Sequence, residues 1–151
     1  MSNYSIQIFQ EAIDHCRWKK VLCNFLKEIN ISIYENKNFK QIMIEIYNIC
    51  NTIKGIGLLS MYDITSAICR YYKINIDKVY IIGNGPKRAI KLLNLKTKIH
   101  QINNKIKINY VDITDVIIAF DINCYELDEN IKNNKNGDIL ETYLCNWQKT
   151  Q

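Results

Sequence analysis

The chain has 151 residues, with 20 Lys and Arg against 15 Asp and Glu and a formal net charge of +5. This length suits one domain with a buried core, and we expect a single domain over 1–151. The modest positive charge favours a polyanionic partner without requiring one. No signal peptide is visible, and no run of roughly 18 apolar residues without charge predicts a membrane span.

Six cysteines are spread singly along the chain, without a Cys-x-x-Cys pair or a nearby pair of histidines. This spacing argues against zinc, and we expect no metal site. Most of the cysteines have apolar neighbours, which predicts buried free thiols and a reducing, cytoplasmic compartment. They are Cys16, Cys23, Cys50, Cys69, Cys124 and Cys145.

The N-terminal part, 1–52, is predicted to be helical. Apolar residues recur every three or four positions over Ser5–Ile29 and again over Phe39–Ile53, as in amphipathic helices. A glycine pair follows the second of these, and Leu59–Tyr72 then shows the same periodicity.

The next stretch, 77–82, has two possible interpretations. Asp77–Ile82 is predicted to be a short helix, while the β-branched content of Lys78–Ile82 leaves a strand open. Pro86–Leu95 is predicted to be a helix, because proline suits a first helical turn.

The C-terminal part, 96–151, combines a polar segment with further predicted helices. Lys96–Tyr110 suits a loop with a short helix or a hairpin. Asp112–Phe120 is predicted to be a helix whose first residue or Thr114 is the candidate cap. A mobile loop is expected over Glu129–Asp138 and a last helix over Ile139–Trp147. The fold class predicted from these elements is all-α.

Two glycine pairs, Gly55-Ile56-Gly57 and Gly83-Asn84-Gly85, each open a segment with helical periodicity. Glycines one residue apart turn the chain sharply and leave first-turn amides pointing outward, where the helix dipole favours an anion. A purely structural turn is an equally good interpretation of each pair. Neither pair supplies the third glycine of a dinucleotide fingerprint, and no Walker loop follows.

The pattern of apolar residue, Gly, apolar residue, Gly and helix resembles the helix-hairpin-helix motif. The first copy is filled by Ile53, Gly55, Ile56 and Gly57. The second copy is filled by Gly83, Gly85, Lys87 and Ala89, with polar Asn84 where the family usually has an apolar residue. Two copies within 53–95 resemble the tandem, five-helix form of the motif. The resemblance implies contact with a nucleic-acid backbone, most often DNA, through hairpin amides and sometimes a bound monovalent cation.

The predicted function is therefore non-catalytic binding of nucleic-acid backbone. The second glycine pair should dominate affinity, so Gly85→Val should lose more binding than stability and Gly57→Val more stability than binding. The predicted nucleic-acid-binding residues are Lys54, Gly55, Gly57, Gly83, Gly85, Lys87, Arg88 and Lys91.

A protein–protein adaptor that uses the hairpin surface is the second hypothesis. The stretch Lys54–Asp63, together with Val79-Tyr80 and Leu144-Cys145, resembles a group of small bacterial proteins of unassigned function. That resemblance implies a shared site around Tyr62 and Asp63. An acid so near the start of a helix would compete with DNA for the same amides.

A monofunctional DNA glycosylase is the third hypothesis, because glycosylases that carry this motif place a catalytic Asp about twenty residues beyond it. Asp77 lies 20 residues after Gly57 (77 minus 57). Leu59 stands where the lyase members have a lysine, so lyase chemistry is not expected. A helix cap is the favoured role for Asp77, and an enzyme is the less favoured interpretation of the chain.

Overall fold

The structure is a computed structural model that describes residues 34–151. The chain divides into two compact units, with the boundary between Asn75 and Ile76. The boundary separates the two glycine pairs, so each belongs to a different unit. The helix predicted for Ser5–Ile29 lies outside the described residues.

The described part of the first unit is a pair of helices, α1 (Phe39–Cys50) and α2 (Leu58–Tyr71). Helix α1 begins at a capping box in which Asn38 Oδ1 accepts the Gln41 amide at 2.9 Å and Gln41 Oε1 accepts the Asn38 amide at 3.0 Å. Such reciprocal bonds satisfy two amides that a helix start otherwise leaves free. The predicted helices Phe39–Ile53 and Leu59–Tyr72 are confirmed, although α1 ends before the predicted boundary.

Helix α1 buries one stripe with a three-four spacing, as expected for an amphipathic helix. The stripe consists of Phe39, Ile42, Met43, Ile46 and Cys50. Helix α2 packs against it, and the Thr65 hydroxyl donates to the Met61 carbonyl at 2.8 Å and lies 3.3 Å from the Met43 sulfur. The buried hydroxyl therefore has partners in both helices.

The second unit contains a three-stranded antiparallel sheet, so the all-α prediction was wrong. Its strands are β1 (Lys78–Tyr80), β2 (Lys98–Gln101) and β3 (Lys107–Asp112), in the spatial order β1-β3-β2. The helix predicted for Asp77–Ile82 is instead strand β1 and its exit, the alternative that β propensity had left open. Pairing with a distant strand decides this, because Val79 lies opposite Val111 in the ladder.

Strands β2 and β3 form the hairpin that was one option for Lys96–Tyr110. In its turn the Asn103 side-chain oxygen accepts from the Lys105 and Ile106 amides, both at 2.9 Å. The Ile102 amide also donates to the Ile106 carbonyl at 2.9 Å. Asparagine that satisfies amides two and three residues ahead is a common way to hold a tight turn.

Helices of this unit are α3 (Asn84–Leu92), α4 (Ile113–Ile122), α5 (Glu129–Asn134) and α6 (Gly137–Trp147), followed by a 3₁₀ turn (Gln148–Thr150). Together with one face of the sheet they enclose a core. Its members are Val79, Ile81, Ala89, Ile90, Leu93, Val111, Ile113, Val116, Ala119, Phe120, Leu127, Leu140 and Leu144.

The segment predicted as a loop, Glu129–Asp138, is largely helical, because it holds α5 and the first turn of α6. The Gly137 amide donates to the Ile76 carbonyl at 2.7 Å. A Cβ on Gly137 would overlap with the Lys78 carbonyl oxygen. The start of α6 therefore lies directly against the backbone at the beginning of β1, a contact that only glycine allows.

The predicted helix Asp112–Phe120 is confirmed as α4, with Asp112 at the cap position. Its side chain makes no cap hydrogen bond and instead forms an ion pair with Lys98 across the sheet. The register explains this choice: Lys98 lies opposite Tyr110, which is two residues from Asp112 on β3, so Lys98 and Asp112 point to the same face of the sheet.

Candidate nucleic-acid interface

The first glycine pair joins two helices, as predicted, but its two glycines have different roles. Gly55 has φ 91°, in the left-handed region that side chains disfavour. Gly57 precedes α2 with φ −100°, and a Cβ there would meet no heavy atom within 4 Å. Of these two positions, only position 55 has a backbone conformation that requires glycine.

Helix α2 begins without a side-chain cap at Gly57. Ile56, between the glycines, is buried, while Lys54 is exposed. The first hairpin therefore presents a lysine beside a helix start whose N-cap residue, Gly57, has no capping side chain. Such a start favours an anion, because the helix dipole is positive there.

Tyr62 lies in the core of the first unit rather than on its surface. It is 2% exposed, and its ring meets the edge of Phe39 at 6.0 Å between centroids. Asp63 is half-buried, and its backbone carbonyl accepts the Ser66 hydroxyl at 3.0 Å. The sequence predicts a shared site at Tyr62 and Asp63, but packing in the core explains the position of Tyr62.

The second glycine pair connects a strand to a helix instead of joining two helices. Gly83 is the N-cap of α3, Asn84 is its exposed first residue, and Gly85 lies within the first turn. A Cβ on Gly85 would lie 2.6 Å from the Cys145 sulfur of α6. This glycine allows the two helices to approach, which gives it a structural role that the sequence pattern did not predict.

Helix α3 presents a basic outer face. Lys87, Arg88 and Lys91 are exposed, whereas Ala89 and Ile90 face the core. Lys54 belongs to the first unit. The structure therefore brings together three of the four predicted basic residues, on one helix.

Basic residues continue along the chain beyond α3, in the loop and strands that follow. Between Asp77 and Asp112 the sequence contains no acidic residue and eight basic ones: Lys78, Lys87, Arg88, Lys91, Lys96, Lys98, Lys105 and Lys107. Sequence reasoning missed Lys78 and the last four because it followed the glycine motif. The absence of acids over this whole stretch was the signal that could have found them.

Most of these cations are not neutralised by a neighbour. Lys98 pairs with Asp112 and Lys78 with Asp77. No carboxylate of residues 34–151 lies within 4.0 Å of the exposed Lys87, Lys91, Lys96, Lys105 or Lys107. Arg88 donates to the Gln151 carbonyl at 3.4 Å.

The strand register places Lys107 on the same side of the sheet as α3. Val79 and Val111, which the helices cover, point to one face. Side chains two residues apart on a strand share a face, so Asn109 and Lys107 point the same way as Val111. The basic outer face of α3 and Lys107 are therefore both on this side.

The opposite face of the sheet holds an aromatic cluster around His100. The Tyr80 hydroxyl and His100 Nδ1 are 2.9 Å apart with the rings stacked, and Tyr110 meets His100 edge-on at 6.1 Å. The Lys78 ammonium lies 5.6 Å from the centre of the Tyr110 ring. The strand register assembles this cluster, and the spacing of its members along the chain gave no sign of it.

Asp77 does not have the role of helix cap that the sequence favoured. It directly precedes strand β1, its side chain is 76% exposed, and Lys78 Nζ lies 3.4 Å from its Oδ1. The predicted glycosylase base is thus a surface carboxylate beside a lysine.

Within residues 34–151, no group of three or more His, Cys, Asp or Glu side chains could hold a metal ion. No helix in the same range combines the length and hydropathy that crossing a membrane requires. Of the four cysteines in this range, Cys50 and Cys69 are buried, Cys145 is half-buried and Cys124 is exposed, and all are free thiols. Comparison of the chain with protein-family models, with curated proteins and with solved structures found no match.

Proposed function

We propose that the chain binds nucleic-acid backbone, chiefly through the basic surface of α3 and the β2–β3 hairpin. The observation that carries this proposal is the set of exposed lysines that have no carboxylate partner among residues 34–151. A paired lysine must break its ion pair before it binds a phosphate, whereas these lysines have no ion pair within that range to break. Phosphate contacts release counterions and carry no sequence information, so the expected binding is salt-dependent and sequence-independent.

The first hairpin supports a second, smaller contact with the same kind of ligand. Gly55 turns the chain sharply, and the start of α2 after Gly57 has no side-chain cap. Exposed Lys54 adjoins it. An anion at this helix start would meet the positive end of the helix dipole as well as the lysine.

The two other hypotheses have no comparable support. Tyr62 is buried, which argues against an adaptor whose protein partner contacts this side chain at the hairpin surface. Asp77 is exposed beside Lys78, whereas a glycosylase base works in a closed pocket for an extruded base. Neither hypothesis is therefore preferred over backbone binding.

The test is a titration of labelled duplex DNA, single-stranded DNA and RNA with the full chain. Lys87→Glu with Arg88→Glu should weaken binding at least about tenfold and reduce the salt slope by about 1.8, the value for two lost phosphate contacts. A matched control, Lys40→Glu with Lys135→Glu, changes the net charge equally at exposed residues that belong neither to α3 nor to the β2–β3 hairpin. It should retain most of the affinity.

Equal losses in the two variants would show that net charge alone governs binding and would contradict an assigned surface. Binding that does not change between about 50 and 200 mM salt would contradict phosphate contacts altogether. Lys54→Glu tests the first hairpin by itself, and it should weaken binding less than the α3 variant does.

A further inference from the structure

The outer face of α4 is unusual for a solvent-exposed helix surface. Ile118 and Ile122 are 48% and 75% exposed, and they are one helical turn apart. Asp115 and Asp121 lie on the same face and are also exposed, whereas Val116 and Phe120 face the core. We call Asp115, Ile118, Asp121 and Ile122 the acidic face of α4.

Negative charge extends around this face. From Asp112 to Ile131 the sequence has no basic residue, and its six acidic residues are Asp112, Asp115, Asp121, Glu126, Asp128 and Glu129. The two exposed isoleucines thus lie within an acidic segment of the chain. A protein partner that buries them must offer apolar contact together with positive charge.

The outer face of α3 has that chemistry. Lys87, Arg88 and Lys91 are exposed on it, and Leu92 beside them is 44% exposed. We call these four residues the basic face of α3. Positions 87 and 91, like positions 88 and 92, are one turn apart, so all four residues point outward together.

We propose that the acidic face of α4 in one copy of this chain docks on the basic face of α3 in a second copy. Ile118 and Ile122 would pack on Leu92, and the two aspartates would meet the cations on either side. Both faces are exposed within a single chain, so they do not cover one another there. Charge complementarity selects a second copy as the occupant, because each copy carries both halves of the contact.

The arrangement is head-to-tail, since two different faces meet. Such a contact leaves one face open at each end and continues into longer assemblies unless the rotation closes a ring. A contact between two helices is expected to bury less than about 1,200 Å², which is typical of weak, transient association. Salt should weaken it, because its charged pairs lie at the rim.

This inference goes beyond nucleic-acid binding, and the two predict competition. A polyanion on α3 would occupy the cations that the acidic face of α4 requires. Assembly should therefore occur without nucleic acid and decrease when DNA is added. It is measured on protein freed of nucleic acid, which separates its failure from a failure of the proposed function.

The experiment is sedimentation velocity of the full chain from about 10 μM to about 1 mM at about 50 mM salt, where surface charges are weakly screened. Ile118→Lys with Ile122→Lys blocks the acidic face, and Lys87→Glu with Lys91→Glu blocks the basic face. Each variant alone should stay monomeric. Mixed in equal amounts they should form a dimer that grows no further, because each retains one intact face.

Ile139→Lys is the matched control, because Ile139 is an isoleucine of α6 that is 41% exposed and belongs to neither face. It should assemble as the wild type does, and circular dichroism should show native helix content in every variant. A wild-type chain that stays monomeric at about 1 mM, a concentration well above that of ordinary transient contacts, would overturn the proposal. Continued growth of either blocked variant, or a monomeric mixture of the two, would overturn it as well.

Discussion

Gly85 and Cys145 are in direct contact across two helices: a Cβ built on the glycine would lie 2.6 Å from the cysteine sulfur, while the Cys145 Cα and Cβ lie at 3.6 Å. The sulfur is therefore the main obstacle to a side chain at position 85. The close approach of α3 and α6 depends on the small volume of both residues.

A double-mutant cycle tests this contact. Gly85→Ala should lower the free energy of unfolding by about 1–3 kcal/mol, the usual effect of overpacking. In a Cys145→Ala background the same change should be neutral or stabilising, since alanine favours helix and the remaining neighbours are at ordinary distance. Denaturant unfolding of the four proteins gives the coupling energy. A coupling near zero would contradict the contact.

The two glycines of the first hairpin should respond differently to alanine. Gly55→Ala should cost about 1–2 kcal/mol, because alanine resists its left-handed φ of 91°. Gly57→Ala should cost little, since its backbone is extended and its surroundings are open. Thermal unfolding of both variants decides the order.

The structure also reverses one expectation from the sequence. Gly57→Val should now be tolerated, and Gly85→Val should lose stability because of Cys145. If Gly57→Val instead proved the less stable of the two, this would contradict the finding that a side chain at position 57 meets no neighbouring atoms.

Gly137→Ala should be the most damaging glycine substitution in the second unit. The obstacle is the backbone carbonyl of Lys78, which cannot rotate away as a side chain can. A useful comparison is Asn136→Ala, which removes the cap whose oxygen accepts the Asp138 amide at 2.9 Å and should cost about 1 kcal/mol. Melting temperatures should fall further for Gly137→Ala; an equal fall would mean that the backbone contact is easily relieved.

Tyr34 should make stability decrease at alkaline pH. Burial raises the pKa of its hydroxyl from 10.0 to about 12, with smaller contributions from Glu45 and Cys50. From pH 10 upward the unfolded chain loses the tyrosine proton while the folded chain retains it, so the free energy of unfolding falls until about pH 12. Below pH 10 the tyrosine is neutral in both states and the effect is absent.

Tyr34→Phe is the matching variant. Among residues 34–151 the structure gives the buried Tyr34 hydroxyl no hydrogen-bond partner, so its removal should leave neutral-pH stability nearly unchanged. Unfolding curves from about pH 8 to about pH 11 should fall less steeply for the variant. Parallel curves for the two proteins would show that other groups cause the alkaline loss.

The sequence by itself determined the helices that have a full amphipathic stripe. Phe39–Ile53, Leu59–Tyr72 and Ile139–Trp147 follow from the three-four spacing of apolar residues, and Asp112–Phe120 follows from a candidate cap before apolar residues. It also contained the basic stretch between Asp77 and Asp112, which needs no structure to be seen.

Only the tertiary structure decided the sheet and the roles of the glycines. Strand β1 has three residues, too few to reveal a period, and it exists because Val79 pairs with Val111 far along the chain. Gly55, Gly85 and Gly137 look alike in sequence, but the first is required by its own φ angle, the second by a sulfur on another helix and the third by a carbonyl of a strand. A local pattern cannot distinguish these causes, because two of the three depend on atoms that the fold brings from elsewhere in the chain.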